Sequence, residues 1–465
     1  MKNQGDPGTW GLHAGEQGEL MIGNHGTIGL ARQFGTPLHV VNARRLMKTG
    51  ADFLQTVRGS YRGWTSVHYA MKCNSVPAVV EILLQAGMGL EVMTDYELTL
   101  ALRLGCPAER IIVNGPCKTR FFLRACIDAG VRFLIADSPE ELRDIAGIAG
   151  ERDHYPRVLL RVNPDYTPRG MTRGTATGSR TGCAFGLDLR GGEVERAMRV
   201  LDELKRIRFM GFQMHIGTGI RHASDYAHAL QRVTKLREIA RTSGRSIRVL
   251  DVGGGFASPA SREFGPLELL LYQAFGRLPG SGREAPSASL FARTISGAVE
   301  QLFGPDDLPE LIFEPGRSIA GPNQFLLLTV QRVKERDGVG RWLIADGGLS
   351  TVTIPTYYEY HEVFLANDVR RPRGTPATIT GPACFAGDVI YRNKRMPVVA
   401  PGEVIAIMDS GAYFTAMESS FGFPRPAIVA VDGASCRLVR TRETFEEMIG
   451  RDVVDEGFLL ERSLP

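Results

Sequence analysis

Four stretches of this chain hold residue types that could act together on one small molecule. In His68-Tyr69-Ala70-Met71-Lys72-Cys73-Asn74, a single lysine stands where a short apolar strand pattern gives out. His215-Ile216-Gly217-Thr218-Gly219 closes another such run, Asp251-Val252-Gly253-Gly254-Gly255 a third, and Glu314-Pro315-Gly316-Arg317 a fourth. Each also has a plainer use. Lys72 could be a solvated loop lysine, His215 a packed imidazole, the three glycines a tight turn, and the glutamate stretch a charged turn. Taken together, their chemistry converges. A lysine amine can hold an aldehyde. An imidazole can lie against an aromatic ring, and a carboxylate can face a protonated ring nitrogen. Glycine amides, open to an anion because no Cβ blocks the approach, can hold a phosphate together with Thr218 and Arg317. A phosphorylated pyridine aldehyde, pyridoxal 5'-phosphate, fits all of these groups.

The elements that must position these residues can be read from periodicity. Apolar runs expected to be strands occur at 66–71, 89–92, 110–113, 132–135, 158–162, 209–215, 247–252 and 310–313. Helical patterns lie between most of them, at 78–85, 95–104, 120–129, 139–149, 194–204 and 226–242. Strands alternating with helices imply a parallel sheet, and eight of them imply a closed (β/α)8 barrel. An open doubly wound sheet is the alternative, but no GxGxxG opens a helix after the first strand. In a barrel, Lys72, His215, the glycines and Glu314 all fall at C-terminal strand ends, the face that carries the chemistry of this fold. Two inserts break the rhythm, 164–182 and 256–289, the second with an apolar patch at 267–275. Residues 1–35 are weakly patterned, 38–41 reads as a strand and 43–54 as a helix. After 322 the pattern becomes all-β, with runs at 325–333, 341–345, 377–380, 404–408, 427–431 and 437–440. The expected division is a barrel over 42–322 and a β domain built from 1–41 and 323–465.

Composition removes several classes of function. With 43% apolar and 23% charged residues the chain reads as soluble and globular, and a net charge of +4 over 465 residues is too small to argue for nucleic acid. Arg370, Arg371 and Arg373 read as a solvated loop. No apolar run approaches the length of a membrane span, and the polar, Gly-rich start lacks the basic and apolar regions of a signal peptide. The 7 cysteines are scattered, without CxxC spacing, and the 9 histidines include no HExxH. That pattern argues for a reducing cytoplasm and against a metal enzyme or a disulfide framework.

Further motifs complete the picture: Asn114-Gly115-Pro116-Cys117-Lys118, Gly381-Pro382-Ala383-Cys384 with Gly387-Asp388, and Gly411-Ala412-Tyr413. In this order and spacing the chain, over roughly 35–430, resembles the fold-type III pyridoxal-phosphate decarboxylases, the group that includes diaminopimelate, ornithine and arginine decarboxylases. The resemblance implies a barrel plus β domain of the alanine-racemase kind. It implies that Lys72 holds the cofactor aldehyde, that His215 stacks on the ring, and that Glu314 pairs with the ring nitrogen. Thr218, Gly253, Gly254, Gly255, Gly316, Arg317 and Tyr413 would hold the phosphate. Cys384 would return a proton after carbon dioxide leaves. It further implies a homodimer whose sites are completed by the partner's Cys384 segment. A lysine beside a cationic ring should also have a lowered pKa.

The chain departs from this family where substrate is chosen. Diaminopimelate decarboxylases typically follow the cysteine with a glutamate and carry an arginine in an Arg-Pro-x-x-Tyr run. Here the residues are Phe385 and Ile354, with Tyr358 at the tyrosine. Ornithine decarboxylases place aspartates at the positions of Phe385 and Tyr358. Burying a cationic substrate end without a partner carboxylate costs several kcal/mol. The expectation is therefore an amino acid with a neutral, apolar or conjugated distal group. The alternative is diaminopimelate with a shifted specificity loop, with Glu359 or Glu362 supplying the charge. A non-catalytic homologue is disfavoured because Lys72, His215, Glu314, Arg317, Cys384 and Tyr413 are all present. A racemase is disfavoured because Glu314 stands where such enzymes put an arginine.

Overall fold

Short, continuously apolar runs suit strands buried on both faces, as a parallel barrel requires. In the computed structural model, which describes residues 5–258, 261–280, 285–353 and 355–452, eight such runs do this. They are Thr65–Ala70, Gly89–Val92, Ile111–Val113, Phe133–Ala136, Arg157–Asn163, Arg208–Met214, Val249–Asp251 and Glu310–Phe313. Each is parallel to the next, and the eighth returns to the first with Leu311 opposite Thr65 and Phe313 opposite Val67. The strands number as expected and shift by a residue or two at their ends.

Local signals set the helices outside the barrel. Pro77 opens Pro77–Gln85 at the position where its missing N–H costs nothing. Thr94, Thr119 and Ser138 cap Asp95–Arg103, Arg120–Ala129 and Pro139–Arg152, each side chain accepting a backbone N–H of the first turn. The helix expected over 226–242 is two, Ser224–Leu230 and Val233–Thr242. Between them Arg232 N–H bonds the Ala229 carbonyl, a tighter turn than an α-helix makes.

Inside the barrel Ile112, Phe133, Ile135, Leu159, Val249 and Ile312 form an apolar layer. Side chains alternate along a strand, so two residues further on the same faces carry Asn114, Asp137, Arg161, Asp251 and Glu314, all buried. The apolar layer is thus the floor beneath a polar mouth.

The remaining strands form a mixed sheet around the long strand Gln324–Arg336. It is antiparallel to Gly340–Ala345, Val404–Ile407 and Leu38–Asn42, and Ala427–Asp432 lies parallel to Leu38–Asn42. An N-terminal strand is thereby built into a C-terminal sheet. The weakly patterned start is ordered as well. It contributes strands His13–Ala14, Leu20–Ile22 and His25–Gly26 and the helix Thr27–Phe34, with Trp10, Leu20, Ile22 and Leu30 in the sheet's core. Strands of two or three residues are too short to show a period. The second insert contains a helix, Pro266–Phe275, and a two-residue strand, Arg262–Glu263, antiparallel to Glu359–Tyr360. Among the described residues no helix is long and apolar enough to cross a membrane.

Candidate active site

Lys72 follows the first barrel strand in a short turn, Met71–Cys73, and points its amine at Glu91, with which it forms an ion pair. Glu91 is itself buried at the end of the second strand. Burial pushes the Lys72 ammonium down, but the carboxylates of Glu91 and Glu314 and the Tyr413 phenol outweigh it and hold the pKa above the ordinary lysine value. Sequence reasoning overlooked Glu91, the acid on the neighbouring strand, whose charge opposes the lowering expected from a cationic ring.

Glu314 lies across the mouth, within 3.4 Å of the Asn114 side-chain nitrogen and 3.5 Å of that of Gln213. Burial and the Glu91 charge raise its pKa, against the pull of Lys72. Asp251 is fully buried beside it. Burial first, then the Glu314 charge, push the Asp251 carboxyl well up from the ordinary aspartate value. One oxygen of Asp251 accepts the Gly253 N–H at 2.8 Å. Arg161 donates to the Asn114 side-chain oxygen Oδ1 at 3.2 Å and connects Asn114 to the fifth strand.

His215 accepts the Gly254 N–H on Nδ1 at 3.2 Å. Burial, with Arg161 and Lys72 nearby, depresses its pKa to about 3. The ring is neutral with its hydrogen on Nε2, presenting a flat face rather than a charge. Arg317 is buried at the start of a single helical turn, Arg317–Ala320. Its guanidinium pairs with Glu359 at 2.7 Å and lies 4.9 Å over the Tyr413 ring. Its Nε is buried without a hydrogen-bond partner among the described residues. Tyr413 takes a left-handed backbone conformation, φ 67°, rare for a residue with a side chain, and its N–H bonds the Cys73 carbonyl at 2.9 Å. The β domain is thereby tied to the turn that carries Lys72.

An amine, a buried carboxylate across from it, a neutral imidazole and an orphaned guanidinium nitrogen are a donor set that fits pyridoxal phosphate. Comparison with known proteins agrees. Residues 53–321 match the family model described as "Pyridoxal-dependent decarboxylase, pyridoxal binding domain". The chain belongs to this family. Diaminopimelate decarboxylase of Actinosynnema pretiosum is 31% identical over 454 residues, 96% of each chain, and that of Bacillus subtilis 29% over 442 residues, 94% of this chain and 96% of the relative. Among solved structures, diaminopimelate decarboxylase from M. jannaschii in co-complex with L-lysine has a TM-score of 0.86 at 26% identity, covering 96% of this chain and 99% of that one. The protein is a fold-type III pyridoxal-phosphate-dependent amino-acid decarboxylase.

In the decarboxylase the glycine triplet has a sharper role than an open cradle. A Cβ on Gly254 would meet the Glu314 carbonyl oxygen at 2.1 Å, and one on Gly255 the Gly217 carbonyl at 2.0 Å. The glycines let three strand ends approach one another. The Gly253 and Gly254 amides serve Asp251 and His215, so the anion contact expected of these two N–H groups has no free donor in this arrangement. Gly316 likewise packs against Cys73 and Ala70. Thr218 is half-buried in the turn between Gly217 and Gly219.

The cysteine motif is a built turn. Asp388 is buried and accepts the N–H groups of Leu349 at 2.6 Å and Ala383 at 2.8 Å. Gly348 and Gly381 flank it so closely that a Cβ on either would strike its carboxylate. Cys384 and Phe385 stand exposed on this turn, with Phe385 edge-on to Phe421 at 6.1 Å between ring centres. Tyr358 neighbours Glu359, its phenol pushed up to about 12 by burial and the Glu359 charge. Ile354 lies outside the described residues.

Sequence reasoning missed Glu91, Arg161, Gln213 and Glu263 as parts of the mouth. The first three had a signal, a single polar residue inside an otherwise apolar strand: Leu90-Glu91-Val92, Leu160-Arg161-Val162 and Phe212-Gln213-Met214. In a strand buried on both faces such a residue must point into the barrel mouth or be paired. Glu263 had none, because it lies in an insert with no readable period.

Proposed function

We propose that this decarboxylase releases carbon dioxide from the α-carbon of an amino acid with Lys72 as the cofactor-holding amine, and that diaminopimelate is the substrate its relatives support best. The observation that carries the chemistry is the Lys72–Glu91–Glu314–Asp251 group at the mouth of a barrel of this family. Bound pyridoxal phosphate supplies an electron sink for the pair left on Cα when the carboxyl departs. The chain's own residues do the rest. Glu314 holds a proton at the ring nitrogen, His215 covers one ring face, and Arg317 and Tyr413 anchor the phosphate end. A cysteine thiol, Cys384, delivers the proton that Cα gains in exchange for carbon dioxide. Its exposure in the single chain accords with a homodimer in which this turn enters the partner's site. The free state of all seven cysteines accords with a reducing, cytoplasmic location.

A second reading is favoured by one observation. Phe385 replaces the family's glutamate after the cysteine, and Ile354 its arginine, which points to a neutral, apolar or conjugated distal group. Carbon dioxide release from the purified holoenzyme, measured over meso-diaminopimelate, lysine, ornithine, norleucine and acylated amino acids, separates the two. Highest kcat/KM for meso-diaminopimelate supports the first, and highest kcat/KM for an uncharged distal group supports the second. Release from none of them sinks the decarboxylase reading itself.

A further inference from the structure

The family's usual acid for a distal ammonium is absent at Phe385, yet the mouth does not lack acids. Glu359 and Glu362, the sequence's own candidates, are engaged. Glu359 is fully buried between Arg317 at 2.7 Å and His361 Nε2 at 3.1 Å. Glu362 accepts from Arg373 at 2.6 Å, Tyr360 at 3.1 Å and its neighbour's N–H at 3.1 Å. Glu263 differs. It comes from the insert after the seventh strand and sits opposite Glu359 in the two-residue ladder. Its Oε1 is buried without a hydrogen-bond partner among the described residues, 3.9 Å from Arg317, and a Cβ on Gly219 would lie 3.2 Å from it. The side chain as a whole keeps 27% exposure.

We propose that Glu263 is the carboxylate that receives a distal ammonium group of the substrate, replacing from the barrel side the acid missing at Phe385. This rests on the decarboxylase reading above. The unpartnered oxygen is the reason. Arg317 makes its short contact to Glu359 and stands 3.9 Å from Glu263, on which Arg221 also acts. Like charges opposite one another in a ladder destabilise it. An ammonium at Glu263 eases that repulsion and satisfies the orphaned oxygen. A neutral distal group leaves the buried oxygen unpaired.

The protonation of Glu263 agrees. Burial raises its carboxyl to about 7, Arg317 and Arg221 lower it and Glu359 raises it. The carboxylate form is present above that value and lost as pH falls through it.

The test uses the holoenzyme and two ligands of equal chain length, L-lysine and L-norleucine, followed by the change in cofactor absorbance on binding. Wild type is expected to bind lysine more tightly than norleucine, with the preference shrinking below about pH 7. Glu263→Gln should weaken lysine about ten- to a hundredfold, leave norleucine within twofold, and abolish the pH dependence. Glu263→Asp should recover part of the loss. Lysine bound no better than norleucine by wild type, or equal losses for both ligands in Glu263→Gln, overturns the assignment. If Glu263→Gln does not load cofactor, the wild-type pair and Glu263→Asp still decide it. Tight lysine binding without carbon dioxide release from any amino acid would support Glu263 while removing the decarboxylase reading.

Discussion

Around Lys72 the carboxylates come from barrel strands, whereas around Arg317 they come from separate segments. Glu91, Asp251 and Glu314 each end a strand whose preceding residues are fully buried, so backbone pairing on both sides holds their positions. Arg317, Glu359 and Glu263 follow the eighth strand, begin a short β-domain strand and sit in an insert, respectively, joined by only two residue pairs of ladder. The first group is a frame that can hold a proton at one stated place. The second is an assembly whose members can be exchanged one at a time. Chemistry shared by a family suits the former, and substrate choice suits the exchangeable members of the latter such as Glu263.

The comparison can be broken at several points. Lys72→Ala removes the only amine in the Glu91–Glu314 group, and turnover should fall by about 10⁴-fold with loss of the visible absorbance of bound cofactor. Retained absorbance would move the cofactor-holding role elsewhere. Arg317→Met leaves Glu359 buried with His361 as its remaining partner. Removing one member of a buried pair costs about 3–5 kcal/mol, read from denaturant midpoints, and a variant as stable as wild type would show the segment assembly to be loose. Asp251→Asn probes the frame. Asp251 binds its proton more tightly folded than unfolded, so its contribution to stability is full below the unfolded value of about 4 and declines as pH rises, by up to about 1.4 kcal/mol per pH unit. The variant should flatten that part of the stability profile between pH 4 and 8; an unchanged slope would contradict a protonated Asp251. Phe385→Glu, on an exposed turn, should change stability by no more than about 0.5 kcal/mol. It should nonetheless shift kcat/KM toward diaminopimelate, and no shift would place specificity with Glu263 alone.

The barrel was legible because eight buried strands leave a period that hydrophobicity alone displays. The short strands before residue 30 and the ladder at Arg262–Glu263 left no such trace, since two or three residues cannot show alternation. Among the site residues, Lys72, His215 and Glu314 were recognisable by their places at strand ends. The glycine triplet was recognisable too, but its reason was not. Its Cβ-less positions answer to the Glu314 and Gly217 carbonyls, which are distant in sequence. The DxG and Gly-Asp motifs are likewise one feature, the Asp388 carboxylate seated between Gly348 and Gly381.

Residue types and their spacing determined the fold and the cofactor, because these depend on local periodicity and on which groups end each strand. Charge balance was decided only by tertiary structure. That Lys72 meets Glu91, that burial and Glu314 raise the Asp251 carboxyl, and that Arg317 spends its short contact on Glu359 and leaves Glu263 with an orphaned oxygen all depend on which side chains share a buried volume. Electrostatic energy varies with distance and burial, and neither can be read along the chain.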